Sequence, residues 1–112
     1  MSDLTSVRSI VLPESLDKLV VALLSDYKRR EDAILSRSFS KRTQMEYRYI
    51  NYRIEEGALE ICPANCAIKF IDEIATRRGY ANSDIDCMSE VTYKRQKQEI
   101  KYNIARKLHL VD

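Results

Sequence analysis

Apolar residues recur at three- and four-residue steps along most of this chain, the spacing that aligns side chains on one face of an α-helix. Leu16, Leu19, Val20, Leu23, Leu24, Tyr27 and Ile34 form the first such row. Pro13 suits a first helical position, and Glu14 and Asp17 place negative charge at the positive end of the helix dipole, so the pattern predicts one helix from Pro13 to about Ser36. Arg37 to Ser40 is a polar break in which Ser38 or Ser40 can cap the next helix. That second predicted helix has Tyr47, Ile50, Ile54, Ala58 and Ile61 as its inward row, with Met45, Tyr49, Tyr52 and Leu59 thickening the apolar face. Gly57 is a slight weakness in it.

Pro63 opens a third helix with Ala67, Phe70, Ile71, Ile74 and Ala75 in register, and Gly79, after Arg77 and Arg78, sits where a left-handed C-cap would end it. Tyr80 to Met88 reads as a loop with at most one helical turn. Ser89 and Glu90 then start a last helix on which Tyr93, Ile100, Ile104 and Leu108 share one side, with Val111 on the same line. Arg95, Gln98 and Tyr102 point roughly the other way. Two glycines and two prolines are too few for a β-sandwich that turns every ten or so residues. The expectation is an all-α chain forming a single helical domain over residues 1–112, of about four helices. Residues 1–12 would be an extended or disordered lead, and about 63–112 a helix-turn-helix-like region.

The chemistry on offer is sparse. Cys62 and Cys66 lie one turn apart, but Cys87 is a lone third thiol and the one histidine, His109, is far along the chain, so buried small hydrophobes explain these cysteines better than a metal site. No serine or cysteine is marked out with a base, no glycine-rich phosphate loop is present, and Glu55–Glu56 and Asp72–Glu73 are sequence neighbours that diverge on a helix. No catalytic, metal or cofactor role is therefore expected. The tyrosines of YRYINYR invite comparison with a stacking platform for single strands, but their spread around a helix favours core and boundary packing. An odd cysteine count and a start unlike a secretory signal point to a reducing, cytoplasmic setting, and the longest apolar run, Leu19 to Leu24, is too short for a membrane span.

Charge changes the picture more. Residues 89–112 hold six Lys or Arg against three acids, while the formal net charge of the whole chain is only +2. In SEVTYKRQKQEIKYNIARKLHL a cap, small polar residues, basic and amide side chains, and an apolar anchoring row succeed one another, as a major-groove recognition helix requires. A solvated basic helix is the plainer alternative.

Ser89, Glu90, Thr92, Tyr93, Lys94, Arg95 and Lys97, continuing to Ile104, Ala105 and Leu108, resemble the recognition helix of phage transcriptional regulators of the RinA/ArpU type, which carry a sigma-factor-like helix-turn-helix. The resemblance covers little more than the last 25 residues. It implies a phage or prophage regulator in the bacterial cytoplasm that binds double-stranded DNA and acts on late genes, with RNA polymerase as a further candidate partner. Thr92, Arg95 and Gln98 would face bases from a start at Ser89, and Lys94 and Lys101 would meet phosphates. The Ile74–Ala75 pair stands about eighteen residues before Thr92, where a standard motif has about ten, so either Tyr80–Met88 is an enlarged turn or another helix supports the last one. The rival reading is a helical interaction, assembly or packaging factor, with Met45 and Leu59 beside the Tyr47/Ile54 row forming a homo-oligomer seam.

Overall fold

The computed structural model describes residues 11–37 and 39–111, and every regular element among them is helical. These are α1 (Glu14–Ser25), α2 (Tyr27–Ser36), α3 (Lys41–Leu59), α4 (Ala64–Ala75), a short 3-10 turn (Tyr80–Asn82) and α5 (Glu90–Lys107). The all-α expectation holds. Of the expected lead, residues 1–10 lie outside the described residues; Leu12 is buried against the core. Ser38 is also outside them, and Ser40 caps α3 by accepting from the Thr43 N–H at 3.3 Å.

The first predicted helix is interrupted at Asp26, which sits at φ −93° and ψ 0°, outside the helical well. The interruption is held by buried side chains from elsewhere. Arg30 donates to the Leu23 carbonyl and, through Nε, to Asn51 Oδ1 at 2.7 Å, while Asn51 Nδ2 donates to the Tyr27 carbonyl at 3.1 Å. Arg30 and Asn51 are both buried. Apolar periodicity misses this because Leu23, Leu24 and Tyr27 keep their row across the break. The break lets α1 pack on α4 and α5 while α2 packs on α3.

Two regions result. Val20, Leu24, Ile54, Phe70, Ile74, Ile100 and Ile104 meet in a core between α1, α4, α5 and the C-terminal half of α3. The N-terminal half of α3 pairs instead with α2, joined by Arg29 to Tyr47, Asn51 to Tyr27 and Tyr27 to Glu55, giving a helical hairpin. The molecule is accordingly elongated, 47 × 31 × 23 Å.

Two expectations about α3 and α4 are corrected. Met45, Tyr49, Tyr52 and Leu59 do not widen the inward face of α3. They are 47–69% exposed on the opposite side, which the wide spread of apolar positions on this helix concealed. At the end of α4 the left-handed residue is Arg77 (φ 59°), not Gly79, which is extended. The Arg78 N–H then reaches back to the Glu73 carbonyl at 2.9 Å, closing a Schellman-type end two residues earlier than the glycine predicts. A left-handed non-glycine residue costs roughly 1–2 kcal/mol, more than the roughly 0.4–1 kcal/mol of unfolded-chain freedom that glycine adds. Arg77→Gly is therefore expected to stabilise the fold by up to about 1 kcal/mol, seen as a higher midpoint in urea unfolding with an unchanged slope.

Candidate nucleic-acid interface

The start of α5 is built as the sequence predicts. Ser89 Oγ accepts from the Thr92 N–H at 3.2 Å and lies 3.1 Å from Thr92 Oγ1, so both hydroxyls are engaged in capping. One turn on, Tyr93 is fully buried, its ring against Phe70 and Tyr80 and its hydroxyl donating to Glu73 Oε1 at 2.7 Å. Glu73 also accepts from Ser83 Oγ at 2.6 Å and from the Asp84 N–H at 2.7 Å. Burial alone would raise its pKa. The hydrogen bonds from Ser83, Tyr93 and Asp84, with the nearby charge of Arg78, outweigh that and hold the carboxyl below its ordinary value. One buried carboxylate thus ties α4, the 76–89 connection and the first turn of α5 together.

The two halves of α5 differ sharply in surroundings. From Ile100 to Ala105, Lys101, Asn103, Ile104 and Ala105 are all buried, so this half is enclosed on several sides. From Glu90 to Glu99 the helix is packed on one side, through buried Tyr93, with Val91, Lys94 and Arg95 exposed and Gln96 to Glu99 half-buried. Lys94 forms a surface ion pair with Glu90 at 2.9 Å, worth little by itself. Arg95 has no hydrogen-bond or ion-pair partner among the described residues. Lys97 turns inward, its ammonium on the Arg78 carbonyl and 5.4 Å from the Tyr93 ring centre, and burial pulls its pKa below the usual lysine value, with the charge of Lys101 adding to that.

Of the six residues that the sequence nominates, Lys94, Arg95 and Gln98 come together on the outward side, and Ser89 and Thr92 sit at the tip as caps. Lys101 leaves the set. It is 8% exposed, with Nζ on Asp17 of α1 at 2.7 Å, which makes it a structural ion pair and not a phosphate contact. Helical projection put it near the polar face, but α1 covers that side of the helix. Tyr102 likewise packs partly against the core.

The supporting helix is also identified. Residues 76–89 form a long connection, α4 and α5 make little direct backbone contact, and α5 rests chiefly on α3 and α1. At the closest approach Asn103 Nδ2 donates to the Gly57 carbonyl at 3.0 Å and to Glu60 Oε1 at 3.0 Å. The chain matches no family model, no curated protein and no solved structure. Its function is therefore read from its own surface.

The basic tip of the hairpin is hidden by the small net charge of the whole chain. Arg37, Lys41 and Arg48 border a shallow depression with Phe39, Gln44 and Met45, and none of these three cations forms an ion pair among the described residues. Counting charge by turn along α3 would have shown it.

Cys66 and Cys87 Sγ are 3.8 Å apart; burial, then the contact with Cys87, raises the Cys66 pKa, and burial pushes Cys62 up to about 11. Among the described residues no group of three His, Cys, Asp or Glu could hold a metal ion, and no helix is long and apolar enough to cross a membrane.

Proposed function

We propose that this chain is a transcriptional regulator, of phage or prophage type, that binds duplex DNA through the first half of α5. The observation that carries the reading is the division of that helix. Its second half is enclosed by the core, whereas its first half is anchored through Tyr93 on one side and exposes Lys94 and an unpaired Arg95 on the other, with half-buried Gln98 beside them. A helix presented by its N-terminal turns can enter the major groove, where arginine reads guanine and an amide reads adenine. The cytoplasm, RNA polymerase as a partner and late genes as targets belong to the same proposal and rest on the resemblance of residues 89–108.

A salt titration on a selected duplex and on a scrambled one tests it. Lys94→Ala is expected to flatten the slope of log affinity against log salt by about 0.9 and to weaken both duplexes alike. Arg95→Ala should cost about 1–3 kcal/mol on the selected site and much less on the scrambled one. Lys101→Met, which removes a charge that α1 already neutralises, should leave the slope at its wild-type value. A wild type that binds no selected duplex at low salt ends the reading.

A further inference from the structure

We propose that two copies of this chain pair antiparallel across the outer face of α3, about a two-fold axis at Tyr52. Met45, Tyr52 and Leu59 succeed one another at seven-residue steps, which on a helix is nearly a straight line, and Tyr49 stands beside it. They are 69%, 59%, 48% and 47% exposed in that order; no other helix covers them, and only the Arg53 guanidinium lies over the Tyr49 ring, 5.4 Å from its centre. An apolar stripe running most of the length of a 19-residue helix exceeds the scattered exposed hydrophobics of an ordinary monomer surface.

Charge on the same face selects the occupant and its direction. Lys41 and Arg48 precede Tyr52, whereas Glu55 and Glu56 come after it against the single base Arg53, so the stripe is basic at one end and carries an excess of acid at the other. A second copy turned end for end about Tyr52 places its Leu59 against Met45 and brings its Glu55 and Glu56 beside Arg48. A parallel copy would set Arg48 on Arg48 and Glu56 on Glu56. The carboxylates are held in place by the fold: Tyr27 donates to Glu55, and Arg53 donates to Glu56 Oε1 at 2.7 Å with Lys107 Nζ 3.8 Å from Oε2, so Glu55 keeps the more open acceptor sites for a second donor. A closed, self-complementary contact of this kind is the commonest way for a small protein to dimerise.

The pairing does not rest on DNA binding and is tested without nucleic acid, by sedimentation equilibrium of the full chain. A monomer–dimer equilibrium with a Kd below about 100 µM is expected. Tyr52→Asp and Tyr52→Lys, at an exposed position, should keep wild-type helix content and each weaken the dimer at least about tenfold, and mixing the two should restore it. Arg48→Glu should weaken it as well, since it then meets Glu55 and Glu56 of the second copy. Any one of three results overturns the proposal: a monomer up to about 1 mM, a dimer indifferent to both Tyr52 variants, or one indifferent to Arg48→Glu.

Discussion

Glu73→Ala is expected to destabilise the domain by about 3 kcal/mol or more and to loosen the start of α5 before the rest unfolds. The substitution strands the Tyr93 hydroxyl in the core and leaves the Asp84 N–H and Ser83 hydroxyl without their acceptor, each buried orphan costing about 1–3 kcal/mol. Glu73→Gln keeps the shape but removes the charge and replaces one acceptor oxygen with an amide donor, so it should recover only part of the loss. The same carboxylate gives stability a definite pH dependence. Its folded pKa lies below the ordinary glutamate value, so its contribution is complete above that ordinary value, near 4.5, and is lost as pH falls through the lower folded one. Urea unfolding monitored from pH 7 downward should show wild-type stability falling in that acidic window, with a smaller fall for Glu73→Ala. Identical acid profiles would show that this carboxylate carries none of the dependence.

Gly57→Ala is expected to destabilise by about 1–2 kcal/mol, although in an exposed helix the same change would stabilise by about 0.8–1 kcal/mol. A Cβ at residue 57 would stand 2.8 Å from Ile104 Cγ1, 3.0 Å from Ile104 Cα and 3.1 Å from its backbone nitrogen. The Cγ1 contact can be relieved by a rotamer change, but the other two are backbone. Relief then requires α3 and α5 to separate, which stretches the hydrogen bond from Asn103 to the Gly57 carbonyl. A double-mutant cycle with Ile104→Ala decides between the causes. Little coupling means that backbone is in the way, whereas full rescue would mean that only the side chain is.

Periodicity carries local information, and the legible parts of the fold are the local ones. The inward rows, the Ser89 cap, and Tyr93, Ile100 and Ile104 as anchors of α5 were all readable, because each depends on residues a turn or two apart. The features that were missed depend on contacts between segments distant in sequence. Asp26 breaks a helix because Asn51 and Arg30 satisfy the carbonyls at the break, Lys101 is removed from the surface by Asp17, and Gly57 is a point of close approach and not a weak spot because Ile104 lies against it. In the sequence Glu73 is one of two neighbouring acids that diverge on a helix, and nothing local announces that Tyr93, Ser83 and Asp84 converge on it. Among the six nominated residues, packing alone decides which cations remain outward: Lys94 and Arg95 do, and Lys101 does not.

The interruption at Asp26 also bears on the order in which the chain can assemble. The hairpin contacts join residues 18–28 apart, such as Arg29 with Tyr47 and Tyr27 with Glu55, whereas the core closes through Ser25 with Ala75 and Gly57 with Asn103, 50 and 46 apart. Loop-closure entropy rises with separation, so the hairpin is the cheaper unit to form. On a ribosome α2 and α3 can pair while α5 is still unmade, and the break frees them from waiting for α1 to find its own partners. The slot beside Gly57 stays wet until Ile104 arrives, and until then the apolar side of α3 that α5 will cover is open to solvent.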